Sequence, residues 1–314
     1  MAALLQAQPV VTTTNVFQTG GIECKSLKVD SSAPKPLLIF TPTVAAQYPV
    51  ILFCHGFCTP NSFYSHLLHH IASHGYIVVA PQFCMGCEWI PMGQYGEIKC
   101  AGLVADWIAE SLQSVLPENV VPNVSKFVIA GHSRGGKTAF AVALGYAKIK
   151  LSISALVGVD PVAGLNKYCR VCPWILKGQA GSFKLSTPVA IIGTGLGPEK
   201  ADCCCSMPCA PEGVNHKNFF YESNPPCGYF VAKEYGHMDM LNDNPEGVLG
   251  GLASCICKNN EVGDKDSMRR TVGGLVVAFL RAHLDLQSQD LDAIVANPSL
   301  APAKLDPAMY IKAP

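Results

Sequence analysis

The stretch that decides the fold is KFVIAGHSRGGKTAF, residues 126–140. Its first residues are mostly apolar and predict a buried strand, Lys126–Ala130. A serine flanked by glycines follows at once, as Gly131-His132-Ser133-Arg134-Gly135, and small residues then predict a helix over Thr138–Tyr146. A Gly-x-Ser-x-Gly turn between a strand and a helix presents the serine hydroxyl as a nucleophile at the carboxyl edge of a sheet.

Strand and helix patterns alternate on both sides of this stretch. Short apolar runs predict the strands Pro36–Phe40, Val50–Phe53, Tyr76–Ala80, Ser154–Val159, Pro188–Gly193 and Tyr229–Ala232. Helical spacing of apolar residues predicts the helices Asn61–His74, Ile98–Leu116 and Ser267–Leu284. The alternation predicts an α/β fold, with a mostly parallel central sheet and helices on both faces.

The domain organisation follows from the absence of a linker or an internal repeat in the sequence. We expect one domain over residues 1–314, with irregular terminal segments at 1–16 and 286–314. The later segment is predicted to be irregular because of its four prolines. A Cys-rich and Pro-rich excursion from the sheet is expected around residues 202–228.

A serine nucleophile needs a histidine base. His237 is the preferred candidate, because it lies in a Gly-His loop after a late strand. His216, in the Cys-rich excursion, and His283, in the last predicted helix, are the alternatives. His132 is adjacent to the nucleophile and is expected to be a packing or loop residue, because it faces the wrong way across the turn.

The base in turn needs an acid that orients it and stabilises its protonated form. Asp160 is preferred because it ends the predicted strand Ser154–Val159 and precedes a proline that ends strand pairing. Glu199 and Asp202 are the alternatives, since many proteins of this fold place the acid one strand later. A helix-capping role for Asp160 also stays open.

The developing oxyanion needs hydrogen-bond donors. The loop Cys54-His55-Gly56-Phe57 ends an early strand, which is where a second oxyanion donor is expected. The predicted donors are the backbone N–H groups of Phe57 and Arg134, and His55 is expected to hold the loop rather than to act as a base.

The composition excludes several classes of protein. The formal net charge is +0, so no basic surface for nucleic acid is expected. Charged residues make up 15% and hydrophobic residues 49% of the chain, which excludes disorder. No charged residue occurs from Pro36 to Cys87, where five of the nine histidines lie. Buried strands with a His-rich helix would explain this run, and so would a surface that meets an apolar partner.

The 15 cysteines predict disulfides in long loops more strongly than a metal site. The pairs Cys84/Cys87 and Cys169/Cys172 have metal-ligand spacing but lie far apart in the chain. We therefore expect no metal and no cofactor. No stretch predicts a transmembrane helix, and the segment Met1–Ile22 carries neither a charged side chain nor a clear targeting signal.

The combination of motifs resembles the plant chlorophyllases. It comprises Gly131–Phe140, Val157–Pro161, His55-Gly56-Phe57 and Tyr235–Asp239, and the similarity extends over about residues 17–284. The resemblance implies an α/β-hydrolase fold, the chain order Ser133, Asp160, His237 for the catalytic triad, and hydrolysis of the phytyl ester of chlorophyll. It also implies a chloroplast location, and contact with a pigment-bearing membrane is expected at the uncharged segment.

Other functions stay open at this point. A broader carboxylesterase or lipase for lipophilic esters would use the same three residues. A hydrolase-fold protein that binds a small apolar ligand without turnover, as some plant hormone receptors do, would not need all three. A cysteine-based metal or redox module is a weaker alternative.

Overall fold

The computed structural model of the chain describes residues 13–83, 94–202, 207–243, 256–261 and 263–313. The strands in these residues are β1 (Cys24–Val29), β2 (Leu37–Pro42), β3 (Ala46–Cys54), β4 (Ile77–Pro81), β5 (Val120–His132), β6 (Ile153–Val159), β7 (Val189–Thr194), β8 (Cys227–Ala232) and β9 (Leu305–Ile311). They form one sheet of nine strands in the order β1-β2-β4-β3-β5-β6-β7-β8-β9. The strands from β3 to β8 are parallel, whereas β1, β2 and β9 pair antiparallel at the two ends of the sheet.

Helices cover both faces of the sheet. In the described residues they are α1 (Ser65–Ala72), α2 (Tyr95–Ser111), α3 (Arg134–Ala143), α4 (His216–Glu222), α5 (Lys265–Leu284) and α6 (Gln289–Ala296). Buried side chains of α1, α5 and α6 form one core, and those of α2, α3 and α4 form the other. The predicted α/β fold is confirmed.

The central strands are apolar on both sides because each side contacts a core. In β3, Val50 and Leu52 belong to the core under α2 and α3, whereas Ile51 and Phe53 belong to the core under α1 and α5. Successive side chains of a strand point to opposite faces, so a sheet covered on both faces needs an unbroken apolar run. Much of the uncharged run from Pro36 to Cys87 is explained in this way.

The prediction that residues 286–314 are irregular is wrong. They contain α6 and β9, and β9 pairs with β8 from Cys227↔Ile311 to Ala232↔Leu305. The prediction treated the prolines as evidence against a strand, but a strand at the edge of a sheet tolerates a proline that a central strand would exclude. The prediction of a single domain over residues 1–314 stays a prediction.

The predicted excursion around residues 202–228 lies between β7 and β8 and includes α4. A disulfide joins Cys209 in this excursion to Cys257. Cys169 and Cys172 are free cysteines. The pair Cys84/Cys87 and the adjacent cysteines 203–205 lie outside the described residues.

The described part of the chain contains neither a membrane-spanning helix nor a metal-binding cluster. None of its helices is both long and apolar enough to cross a bilayer. No group of three or more His, Cys, Asp or Glu side chains in those ranges could hold a metal ion.

The histidine-rich helix α1 is amphipathic, with His66 and His69 exposed and His70 buried against α5. The Nε2–H of His70 donates to the carbonyl oxygen of Val16, 2.8 Å away. Burial lowers the pKa of His70, so its ring is neutral in the folded protein at pH 7.

Protonation of His70 should contribute to acid unfolding. Because its pKa is lower in the folded state, this contribution to stability is complete above the unfolded pKa of about 6.5 and is lost as pH falls below it. In urea unfolding between pH 6.5 and 4.5, His70→Gln should make the pH dependence shallower, by up to about 1.4 kcal/mol per pH unit. Equal slopes for the wild type and His70→Gln would refute this explanation.

Candidate active site

Four segments that carry the predicted site residues meet at the carboxyl edge of the parallel strands. Ser133 follows β5, Asp160 follows β6, His237 lies beyond β8, and the loop with Phe57 follows β3. The carboxyl ends of parallel strands share one edge of the sheet, where ligands bind in folds of this type. These residues are therefore close in space although they are far apart in the sequence.

The turn that holds Ser133 is unusually close to its neighbours. A Cβ atom on Gly131 would lie 2.3 Å from the carbonyl oxygen of Gly135, and one on Gly135 would lie 2.2 Å from the carbonyl oxygen of Cys54. Only glycine fits at both positions. Ser133 itself has φ 56° and ψ −125°, which is a strained conformation for a residue with a side chain. The turn thus lifts the serine hydroxyl away from the sheet at the start of α3.

Ser133, His237 and Asp160 form a continuous chain of hydrogen bonds. The Oγ of Ser133 lies 2.8 Å from Nε2 of His237, and Nδ1 of His237 lies 2.7 Å from Oδ2 of Asp160. An ionised carboxylate can only accept, so Nδ1 of His237 holds the proton and donates it to Asp160. Nε2 is then free to accept the hydroxyl proton of Ser133. All three residues are buried, with Ser133 9% exposed.

The surroundings of Asp160 keep its carboxyl group ionised. Burial alone would raise its pKa, but the hydrogen bond and charge of His237, with smaller contributions from His216 and Thr194, lower the pKa overall. The hydroxyl of Thr194 donates to Oδ2 at 2.6 Å. Asp160 has φ 40°, and its backbone N–H donates to the carbonyl oxygen of Ile192 in β7. Asp160 is therefore held at the end of β6 by two residues of β7, Ile192 and Thr194.

The alternative bases do not reach Ser133. His216 lies behind Asp160, with its Nε2 4.0 Å from Oδ1 of that residue and its Nδ1 2.9 Å from the hydroxyl of Tyr229. His283 lies near the end of α5, where its Nε2 is 3.1 Å from the hydroxyl of Tyr310.

The alternative acids lie in the segment that follows β7, and in the described part of the chain neither forms a hydrogen bond or an ion pair with His237. Glu199 is exposed, and Asp202 forms a surface ion pair with Lys258 at 2.9 Å. Neither belongs to the wall of the cleft above Ser133.

The predicted oxyanion donors belong to two adjoining segments. Phe57 and Arg134 both line the cleft above Ser133, and the Arg134 guanidinium lies 5.6 Å from the centre of the Phe57 ring. Arg134 is the first residue of α3, so its N–H has no acceptor within the helix. His55 fixes the Phe57 loop, because its Nδ1–H donates to Gly56 O and its Nε2 accepts from Phe83 N–H, at 2.7 and 2.9 Å.

Sequence reasoning missed Tyr64, which together with His132 joins the Phe57 loop to the loop that carries His237. Its hydroxyl accepts from Gly56 N–H at 3.0 Å and donates to Nδ1 of His132 at 2.7 Å. The Nε2–H of His132 then donates to the carbonyl oxygen of His237 at 2.9 Å. Burial lowers the pKa of His132 to about 3, so the ring stays neutral. His132 is a packing residue, as expected, and no sequence signal pointed to Tyr64.

A second missed residue, Glu97, fixes the Arg134 side of the site. It lies in the first turn of α2, and its carboxylate accepts from Nε of Arg134 at 2.7 Å and from the hydroxyl of Thr138 at 2.6 Å. Gln94 donates to the carbonyl oxygen of Arg134 at 2.7 Å. The available signal was an acidic residue immediately before the predicted helix Ile98–Leu116, but its spacing from Ser133 could not show the contact.

A mostly apolar cleft of about 500 Å³ opens above Ser133. Its walls include Phe57 and Phe63 on one side, and Val162, Leu165 and Val171 on another. The Cys209–Cys257 disulfide and Met207 complete a third side. Clefts of about 300–1,000 Å³ with apolar walls and few polar groups are typical of small-molecule sites. Ser133 and His237 are among the polar residues that line the cleft.

Comparison with known proteins gives a consistent result. The family model described as Chlorophyllase matches residues 12–312. Chlorophyllase-1 of Arabidopsis thaliana is 47% identical over 95% of this chain and 93% of the relative. Chlorophyllase-2 of the same plant is 44% identical over 88% and 91%. A Citrus unshiu relative named "Chlorophyllase-1, chloroplastic" is 43% identical over 99% and 94%.

The assignment of Asp160 as the acid can be tested against its alternative. Asp160→Asn would remove the carboxylate that keeps the proton on Nδ1 of His237, so Nε2 would no longer accept from Ser133. We expect kcat for a soluble p-nitrophenyl ester to fall by about 10³- to 10⁴-fold. The matched control is Asp202→Asn, which removes a carboxylate that is 84% exposed and should leave kcat nearly unchanged. If Asp202→Asn lowered kcat more than Asp160→Asn did, Asp202 would be the acid.

Proposed function

The chain belongs to the chlorophyllase family of carboxylic ester hydrolases, and we propose that it hydrolyses the phytyl ester of chlorophyll through Ser133, His237 and Asp160. The observation that carries the proposal is the 2.8 Å contact between Ser133 Oγ and His237 Nε2 beneath an apolar cleft. The products would be chlorophyllide and phytol, as a step in chlorophyll breakdown.

The first half of the proposed reaction forms an acyl-enzyme. Nε2 of His237 takes the proton of Ser133 as its Oγ attacks the propionate ester carbonyl of the pigment. The negative charge that develops on the carbonyl oxygen is held by the backbone N–H groups of Phe57 and Arg134. Asp160 stabilises the imidazolium that forms. Collapse of the intermediate releases phytol, which leaves with the proton from Nε2.

The second half releases chlorophyllide. A water molecule enters beside Ser133, and Nε2 of His237 takes its proton as it attacks the acyl carbonyl. The same two N–H groups hold the second oxyanion, and Ser133 leaves with the proton from His237. The chain needs no metal of its own for these steps; the Mg²⁺ of chlorophyll arrives with the substrate.

The apolar cleft supports a lipophilic ester as the substrate. Its walls would exclude water from an alkyl chain, and the free energy gained from apolar burial favours long chains over short ones. The Citrus relatives are named chloroplastic, and we infer a chloroplast location for this chain, with peripheral contact between the protein and a pigment-bearing membrane.

Ser133→Ala should abolish turnover while the substrate still binds. Without the hydroxyl no acyl-enzyme forms, and we expect the rate of chlorophyllide release to fall by at least about 10³-fold. Chlorophyllide separated by chromatography measures turnover, and covalent labelling by a fluorophosphonate measures the nucleophile. If Ser133→Ala released chlorophyllide at the wild-type rate, the proposed mechanism would be wrong. Failure of the wild type to be labelled would favour a non-catalytic binding protein.

A comparison of esters separates a chlorophyllase from a broader lipase. We expect kcat/KM for chlorophyll to exceed that for p-nitrophenyl and triacylglycerol esters, because only the pigment combines a long alkyl chain with a large ring that can contact the mouth of the cleft. Each rate is measured for the wild type and for Ser133→Ala, so that background hydrolysis is subtracted. Equal values across the three esters would support the broader esterase.

A further inference from the structure

A short hairpin rises from the wall of the cleft, in residues 164–171. Its base is closed by an antiparallel bridge between Gly164 and Arg170 and by the hydrogen bond from Leu165 N–H to Cys169 O at 2.9 Å. Gly164, Leu165 and Val171 line the cleft. The tip residue Tyr168 points outward and is 87% exposed. The hairpin therefore connects the cleft wall to the outer surface.

The next turn places a second aromatic ring beside the hairpin. Trp174 is 62% exposed. The Arg170 side chain donates from Nε to the carbonyl oxygen of Lys167 at 3.2 Å and from NH1 to that of Leu176 at 3.1 Å. One guanidinium thus joins the tip of the hairpin to the turn that holds Trp174. We call residues 164–177 the basic aromatic loop.

The base of this loop is firmly attached to the protein. The buried Nζ of Lys137 in α3 donates to Val171 O at 2.6 Å. The buried carboxylate of Glu222 accepts from the backbone N–H groups of Lys177 and Gly178 at 2.7 and 2.6 Å. The exposed rings are therefore presented on a fixed support.

The charge of the loop is one-sided although the whole chain is neutral. No acidic residue occurs between Asp160 and Glu199, whereas Lys167, Arg170 and Lys177 lie in the loop and Lys184 follows it. The Nζ of Lys167 lies 4.9 Å from the centre of the Tyr168 ring. Glu222 is buried and bonded to the loop backbone, and the exposed Glu212 is paired with Lys217 at 2.8 Å.

The mouth of the cleft continues this surface with apolar side chains. Phe57, Leu165, Met207 and Ile256 all line the cleft and are between 38% and 55% exposed. Exposed apolar residues that adjoin one another and surround an opening mark an interaction site.

We propose that the basic aromatic loop docks the mouth of the cleft onto the surface of an anionic lipid membrane. Tyr and Trp are favoured at the level of the lipid headgroups, and Lys and Arg are attracted to anionic headgroups. The apolar rim would then face the acyl chains. The purpose of this docking rests on the proposed function, because an ester held in a bilayer could enter the cleft without crossing water.

Vesicle binding tests the proposal directly. The wild type should sediment with vesicles of equal parts phosphatidylcholine and phosphatidylglycerol, and less with pure phosphatidylcholine. Raised salt should weaken the binding. Lys167→Glu with Lys177→Glu should weaken binding to the anionic vesicles by at least about tenfold. Tyr168→Ala with Trp174→Ala should weaken binding to both kinds of vesicle.

A matched control lies at the other end of α3. Tyr146 is 42% exposed and Lys148 is exposed, in the turn that follows this helix and leads away from the Ser133 edge. Tyr146→Ala with Lys148→Glu makes the same chemical changes and should leave binding unchanged. Equal losses for the control and the loop variants would overturn the proposal.

A measurement on the wild type locates the membrane contact. Lipids with a quencher at the headgroup–chain boundary should quench part of the tryptophan emission, and Trp174→Phe should remove that part. If the wild type bound no vesicle, or bound with Trp174 unquenched, the proposal would be wrong and the loop would be a candidate for docking another protein.

The experiment also separates docking from catalysis. Hydrolysis of a water-soluble p-nitrophenyl ester should be the same in the wild type and the loop variants, whereas release of chlorophyllide from pigment in anionic vesicles should fall with binding. Vesicle binding without chlorophyll hydrolysis would leave docking intact and remove the proposed function. If the loop variants released chlorophyllide from vesicles as fast as the wild type, the proposed function would stand and the docking role of the loop would be wrong.

Discussion

The close approach of the turn at Ser133 to the end of β3 is the constraint on which the site depends. Gly131 and Gly135 allow backbone contacts that a single Cβ atom would prevent. The same turn is tied to the end of β6, because Ser133 N–H donates to Val159 O and Val162 N–H donates to Ser133 O, at 3.0 and 3.1 Å. Ser133, the Phe57 loop and the end of β6 that precedes Asp160 are therefore held by one set of backbone contacts. The strain at Ser133 and Asp160 persists because those contacts determine both positions.

Buried histidines surround this turn, and their neutrality follows from their partners. His132 faces a tyrosine hydroxyl and a carbonyl oxygen, and His55 faces a backbone N–H and a carbonyl oxygen, so burial lowers the pKa of each ring without an adjacent carboxylate to reverse it. His237 has a different kind of partner, a carboxylate oxygen that lies 2.7 Å from its Nδ1. One buried carboxylate thus distinguishes the proposed base from rings that support the loops.

The sequence allowed the strands β2 to β8 to be predicted from their apolar runs. It also allowed the serine turn and the three proposed catalytic residues to be predicted, because each follows the end of a strand. Asp160 could be preferred to Glu199 because it ends an apolar strand directly. Tyr64 and Glu97 could not be found, since their roles come from contacts with His132 and Arg134 that no sequence spacing encodes. β9 was missed for a related reason: its pairing partner, β8, is distant in sequence, and proline is tolerated at an edge.

The shortage of charge in the chain has two separate origins. In β2, β3 and β4 it reflects strands that are covered on both faces, and a sheet of this kind would be apolar for any substrate. The exposed apolar residues at the mouth of the cleft need another explanation, because burial in the core does not account for them. Their position next to the basic aromatic loop is consistent with the proposed contact with a membrane. In that loop Lys167, Arg170 and Lys177 lie among exposed aromatic rings, and the sequence there has no acidic residue. Burial therefore explains much of the uncharged segment, whereas the proposed membrane contact is argued from cations and exposed aromatic rings that burial does not explain.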